Sequence, residues 1–174
     1  MRILVAVASK HGSTAELATA LAAGMRHHGA DVDVRSPGAV ASVAAYDVVI
    51  VGSAVYRNRW LRAARDFIDE HAEALQGREV FLFSSGPIAE QDRPVNNHYD
   101  VAPVMARTGA LEHRMFAGKI DPAVLGAGER VVVRMTGAQL GDFRDWDAVG
   151  SWASEIVDRV SDRTGARVPT EQTY

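Results

Sequence analysis

The chain alternates short apolar runs with longer stretches in which apolar residues recur every third or fourth position. Residues 3–8 are apolar without interruption, the pattern of a parallel strand covered on both faces. After a polar turn, Leu17, Leu21 and Met25 recur at helical spacing, which predicts a helix over residues 13–28 with one buried stripe. Gly29 is a natural stop for it. Val32 and Val34 alternate with polar residues as a second strand, and residues 48–51 form a third, the most apolar of all. A helix is predicted over residues 61–75, with Phe67, Ile68 and Leu75 inward, followed by a fourth strand over residues 80–83. Trp60 is placed at the opening of that helix, as rim or core. The polar residues 90–99 read as a loop leading to a short helix that ends at Gly109, and residues 114–117 read as a fifth strand. The last helix begins near Asp145 or Trp146, with Trp152, Ile156, Val157 and Val160 on its apolar face.

Five strands alternating with helices imply a doubly wound α/β sheet. Right-handed crossovers bring the strand-to-helix loops to one edge, where open sheets of this kind bind ligands. One stretch breaks the alternation. Residues 119–143, with the run Val131, Val132 and Val133, read either as an inserted strand or as a folded flap. There is no repeat and no linker, so residues 1–165 are expected to form a single domain and residues 166–174 a loose polar tail.

Composition narrows the chemistry. A length of 174 residues, 47% hydrophobic, suits one domain with a real core. A net charge of −3 is too balanced for nucleic acid as the main ligand. The absence of cysteine excludes disulfides, iron–sulfur ligation and thiol nucleophiles. The start Met1-Arg2-Ile3-Leu4 runs straight into a strand, unlike a signal peptide. No apolar run approaches the roughly 20 residues that span a bilayer. A cytoplasmic location is expected, with at most peripheral membrane contact. The six histidines show no metal-ligand spacing, and the sequence leaves the oligomeric state open.

The candidate chemistry lies in three turns. The first strand ends in Ser9-Lys10-His11-Gly12-Ser13-Thr14, where a helix begins. Free backbone N–H groups, hydroxyls and the positive end of the helix dipole suit a phosphate monoester there, with Gly12 allowing close approach of the backbone. Lys10 and His11 either add charge or face solvent, and Ser13 alternatively serves only as a helix cap. The turn is not a Walker loop, since no Gly-Lys-Ser/Thr follows a spaced glycine, and it lacks the partner glycines of a dinucleotide fingerprint.

This turn resembles the phosphate loop of flavodoxins and related FMN proteins. The resemblance implies a three-layer sandwich with a five-stranded parallel sheet in order 2-1-3-4-5, and FMN as cofactor. After the third strand, Gly52, Ser53, Ala54, Val55 and Tyr56 follow the order of the family's second flavin loop, which implies that Tyr56 stacks on the flavin. The glycine that closes this loop in the family is replaced by Arg57 or Asn58, of which Asn58 tolerates positive φ better. After the fourth strand, Ser84, Ser85, Gly86 and Pro87 match the third flavin loop, with backbone groups of Ser85 and Gly86 directed at the pyrimidine edge. No aromatic follows there until Tyr99, so either Tyr99 covers the second flavin face or that face stays open to a substrate. His98 is a candidate proton donor at the flavin edge.

The resemblance covers residues 1–118. It returns at Gly141-Asp142-Phe143-Arg144-Asp145-Trp146-Asp147, which resembles the Asp-Trp entry to the last helix in menaquinone-dependent protoporphyrinogen oxidases of the flavodoxin superfamily. Asp145 as a helix cap explains that motif physically. Arg57, Arg59, Arg62 and Arg65 form either a solvated face paired with Asp66, Asp69 and Glu70 or an anion-docking rim. Electron-transfer flavodoxins usually carry an acidic rim, so the arginines point to a small-molecule redox substrate or quinone as partner rather than a basic redox protein. The expected function is that of an FMN-dependent oxidoreductase with a quinone-type acceptor. The alternatives are a single-electron carrier that serves a redox protein and a module that binds a deazaflavin in the same cleft.

Overall fold

The structure is a computed structural model that describes residues 1–56, 59–86, 101–136 and 140–165. In chain order it begins with β1 (Arg2–Ala8), α1 (Ser13–His27), β2 (Asp31–Arg35), β3 (Val48–Tyr56) and β4 (Arg59–Trp60). It continues with α2 (Arg62–Gln76), β5 (Glu79–Gly86), α3 (Ala102–Thr108) and β6 (Glu112–Ala117). A late segment then carries β7 (Lys119–Ile120), α4 (Ala127–Thr136) and β8 (Gly141–Asp142) before α5 (Trp146–Gly165) closes the fold.

The long strands lie in the order β2-β1-β3-β5-β6, each pair parallel. This is the expected 2-1-3-4-5 arrangement once the two-residue β4, which folds back antiparallel on β3, is set apart. Period-two alternation explains why both faces are covered. Ile3, Val5 and Val7 of β1, Val48 and Ile50 of β3, and Phe81 and Phe83 of β5 face one core with α1 and α5. Leu4, Ala6 and Ala8, Val49 and Val51, and Val80 and Leu82 face the other with α2. A run apolar at every position therefore belongs to a strand between two helical layers.

Two expectations change. Trp60 does not open a helix. It pairs with Val55 in β4, is buried at 2% exposure, and donates its Nε1–H to Ser84 Oγ at 2.8 Å. The late segment is a folded flap and not an inserted strand. Residues 131–133 lie in α4, while β7 and β8 pair antiparallel as its stem. Valine favours strands only weakly against context, and here local contacts favour helix. Arg130 N–H bonds to the Gly126 carbonyl at 3.0 Å to open the first turn. The Glu129 carboxylate reaches back to accept the Gly126 N–H at 2.9 Å, the return bond of a capping box.

Among the described residues no helix is long and apolar enough to cross a membrane. Arg57, Asn58, Pro87, the loop over residues 90–99 with His98 and Tyr99, and the tail over residues 166–174 lie outside the described residues.

Candidate functional site

Parallel pairing from β1 through β6 places the ends of β1, β3 and β5 side by side, since Ala8 is in register with Ser53 and Ala54 with Ser85. The carboxyl ends of these three strands therefore share one edge of the sheet.

The first turn is built around Gly12, whose φ of +88° lies in the left-handed region, where a side chain is strained. Ser9 Oγ accepts the Gly12 N–H at 3.2 Å. Ser13 does not cap α1; its Oγ accepts the Lys119 N–H from β7 at 3.0 Å. Both serines use an acceptor and keep an O–H to donate. Thr14 is 2% exposed, and among the described residues its hydroxyl has no hydrogen-bond partner. The first-turn N–H groups of α1 have no intrahelical acceptor by geometry. Donors outnumber acceptors at this point, as an anion requires.

Lys10 and His11 do not simply face solvent. Both pair with Glu129 of α4, His11 Nε2 at 2.9 Å from its Oε1. These partners and the Gly126 N–H hold the Glu129 carboxyl down to about 2, with the Lys10 hydrogen bond as the largest cause. Tyr56, 38% exposed at the end of β3, stands beside them. The Lys10 ammonium is 5.2 Å from its ring centroid and the His11 ring meets it edge-on at 6.2 Å. Burial, then the Glu129 charge, push the Tyr56 phenol above its ordinary value, so the ring stays neutral and presents a flat face.

The other predicted residues divide. Ser53 and Ser84 are fully buried and serve the fold. Ser53 Oγ accepts the Leu61 N–H at 3.0 Å just before α2, and its own hydroxyl donates to the Ala54 carbonyl at 2.9 Å. Ser84 Oγ bridges Trp60 Nε1 and His113 Nε2, each at 2.8 Å. Ala54 is buried and Val55 half-buried. Ser85 lies within the sheet between Ala54 and Phe116, and the Gly86 carbonyl accepts the Gly118 N–H at 2.8 Å. Gly52, expected as a loop glycine, is a buried strand residue packed beneath the Phe83 ring. Among the described residues no group of three or more histidines and carboxylates is placed to hold a metal.

Sequence reasoning missed Glu129 and Arg144. Arg144 bonds Glu16 of α1 at 2.5 Å and Asp142 of β8 at 2.5 Å, and its guanidinium lies 4.5 Å from the Trp146 ring centroid. The Asp-Trp entry is thereby explained structurally: Asp145 Oδ1 caps α5 by accepting the Ala148 N–H at 2.9 Å, and Trp146 carries the arginine that ties β8 to α1.

Acid should loosen this tie. Arg144 holds the Asp142 carboxyl at about 2, below its ordinary 3.8. A lowered folded-state value stabilises above the ordinary value and is lost as pH falls through the folded one. Between about pH 4 and pH 2, the Trp146 fluorescence should shift before far-ultraviolet dichroism reports loss of the sheet. The Arg144→Ala variant should show no such early step.

The comparisons agree with this architecture. The sequence matches the flavodoxin domain family over residues 4–147. A comparison with curated proteins returns no match. Among solved structures, a flavodoxin from the domain Archaea superposes with a TM-score of 0.65 at 20% identity, covering 92% of this chain and 99% of that one. Flavodoxin 2 of Bacillus cereus gives 0.63 at 20% identity over 91% and 99%. The rubredoxin oxygen:oxidoreductase of Desulfovibrio gigas gives 0.60 at 14% identity, covering 94% of this chain and 37% of that protein. FMN, the cofactor this family implies, fits what the first turn offers: the unpartnered Thr14 hydroxyl and the open space at Gly12, where a Cβ would meet only Glu16 at 3.8 Å. The matched stretch runs from inside β1 to the start of α5 and takes in every element that carries these turns, and the chain belongs to the flavodoxin domain family, with FMN as its cofactor.

Proposed function

We propose that this protein is an FMN-dependent oxidoreductase that passes electrons from a small-molecule donor to a quinone-type acceptor, with protoporphyrinogen oxidation as the sharpest form of that reading. The observation that carries it is the flap, which stands at the first turn beside Tyr56 and holds apolar side chains in solvent. Val131 and Met135, one helical turn apart on α4, are 56% and 82% exposed, and Leu140 is 53% exposed. Such side chains, on the segment whose Glu129 meets the first turn, suit a flat, apolar acceptor better than a charged protein surface. When bound, FMN supplies the redox chemistry. The chain supplies the rest: the first turn holds the phosphate by N–H and O–H donors, Lys10 and His11 add positive charge, and Tyr56 presents a ring face.

A single-electron carrier is the second reading, favoured by the likeness to flavodoxins over almost their whole length. An anaerobic reductive titration separates the two. Direct passage to the two-electron-reduced flavin, with rapid reoxidation by menadione, supports the quinone-linked enzyme. A stable blue species at half reduction, indifferent to menadione, supports the carrier. Protoporphyrinogen turnover then tests the sharper form.

Thr14 offers a check on the cofactor site itself. Thr14→Val keeps the shape and removes a buried hydroxyl that has no partner among the described residues, and should cost about 1–3 kcal/mol of FMN affinity, measured by quenching of flavin fluorescence. Riboflavin, which lacks the phosphate, should bind both forms alike.

A further inference from the structure

Glu129 is remote from the first turn in sequence, 118 residues beyond His11, yet its carboxylate is the anion that the turn's cations hold. It lies on Lys10 and His11 with one edge and on the Gly126 N–H with the other. Two more contacts tie the same flap to the same helix end: Lys119 N–H to Ser13 Oγ at 3.0 Å and Arg144 to Glu16 at 2.5 Å. By contrast, the flap contributes no residue to either hydrophobic core among the described residues. Its attachment to the first turn is polar, and the Glu129 pairs with Lys10 and His11 are partly exposed, the setting in which ion pairs are weak and reversible.

We propose that Glu129 is an internal stand-in for the cofactor's phosphate and determines which ligands the first turn accepts. This rests on the reading of that turn as the FMN phosphate site. A phosphate monoester carries nearly two negative charges and three acceptor oxygens. Brought to Lys10 and His11, it repels a carboxylate already there. Loading with FMN therefore releases Glu129 from the turn and, with it, α4. A ligand without a dianion cannot displace the carboxylate and leaves the flap in place. Glu129 thus acts as a specificity residue: it taxes FMN binding and makes flap position report cofactor occupancy, by the reciprocity of linked equilibria.

The test compares FMN with riboflavin, by flavin fluorescence quenching at fixed ionic strength, in the wild type, Glu129→Gln and Glu129→Ala. Glutamine retains the capping-box bond to Gly126 and removes only the charge. Glu129→Gln is expected to bind FMN about tenfold more tightly, within the usual range of coupling between sites, with riboflavin affinity unchanged. Limited trypsin digestion of the wild type supplies a second readout, because Arg130 and Arg134 are exposed on α4. FMN, but not riboflavin, is expected to speed cleavage there. Unchanged or weaker FMN binding in both variants overturns the proposal while leaving the FMN site intact, as does FMN that leaves cleavage unchanged or slows it. Should both variants fail to fold, the wild-type digestion alone decides. If the wild type and Glu129→Gln both fail to bind FMN, the cofactor site falls and this inference with it.

Discussion

Trp152→Ala should lower the stability of this protein by about 3–5 kcal/mol, the range for truncating a buried Trp or Phe. Trp152 is fully buried on α5. Its ring meets Phe81 at 6.4 Å, Phe83 at 6.3 Å and Phe116 at 5.6 Å between centroids. These rings come from β5 and β6, so one side chain joins the last helix to the two strands farthest from β2. Tilted and edge-to-face pairs each add about 0.5–1.5 kcal/mol to the area term. The indole N–H also donates to Glu112 at 3.1 Å, and the Arg114 guanidinium lies 5.6 Å from its ring centroid. Three rigid rings cannot collapse into the space an alanine leaves. Urea unfolding checks this through the transition midpoint at unchanged slope. A loss below about 1 kcal/mol would mean that the cluster is not the packed unit described. Trp152→Phe, which keeps most of the volume, should retain more than half of the stability that alanine loses.

Gly52→Val should cost about 3 kcal/mol, at the upper end for overpacking a tight core. A Cβ at Gly52 would lie 2.1, 2.2 and 2.8 Å from three carbons of the Phe83 ring. Phe83 cannot retreat, because Phe116 and Trp152 hold its other sides. The strain would fall on β3 and β5 close to their carboxyl ends at Tyr56 and Gly86, so FMN affinity should fall along with stability. Phe83→Leu removes ring atoms from the clash and should partly rescue Gly52→Val. The double-mutant cycle should give a coupling of about 1 kcal/mol or more, as for residues in direct contact. Additivity within about 0.5 kcal/mol would show that the two positions do not touch.

The quinone-linked reading and the Glu129 proposal meet in the flap. A segment held by ion pairs and hydrogen bonds, with Val131 and Met135 in solvent, can leave the first turn without breaking the core. Val131 and Met135 are exposed while Glu129 is still on the first turn, so release of Glu129 would change where α4 stands and not whether its apolar side chains reach solvent. Menadione reoxidation in Glu129→Gln, compared with wild type at saturating FMN, would then be unchanged, because the charge matters before loading and not after it.

The strands and helices were legible in the sequence because each is specified by local periodicity. Ile3 to Ala8 and Val48 to Val51 are apolar at every position because both faces of the strand meet helices. Leu17, Leu21 and Met25 face one core because a helix returns to the same side at that spacing. The strand order came from the resemblance of the first turn to the flavodoxin phosphate loop, and right-handed connections are consistent with it. The first turn was legible for the same reason: glycine, hydroxyls and a helix start adjoin in the chain. Contacts between distant residues left no such trace. Whether a glycine serves a loop or makes room for a ring depends on what lies across the sheet, and at Gly52 that is Phe83. Whether a serine faces ligand or core depends on which neighbours it meets, and Ser84 meets Trp60 and His113. The capture of Lys10 and His11 by Glu129 was settled only by the tertiary structure. The Glu129 contacts join residues over a hundred positions apart, and periodicity carries no information at that range.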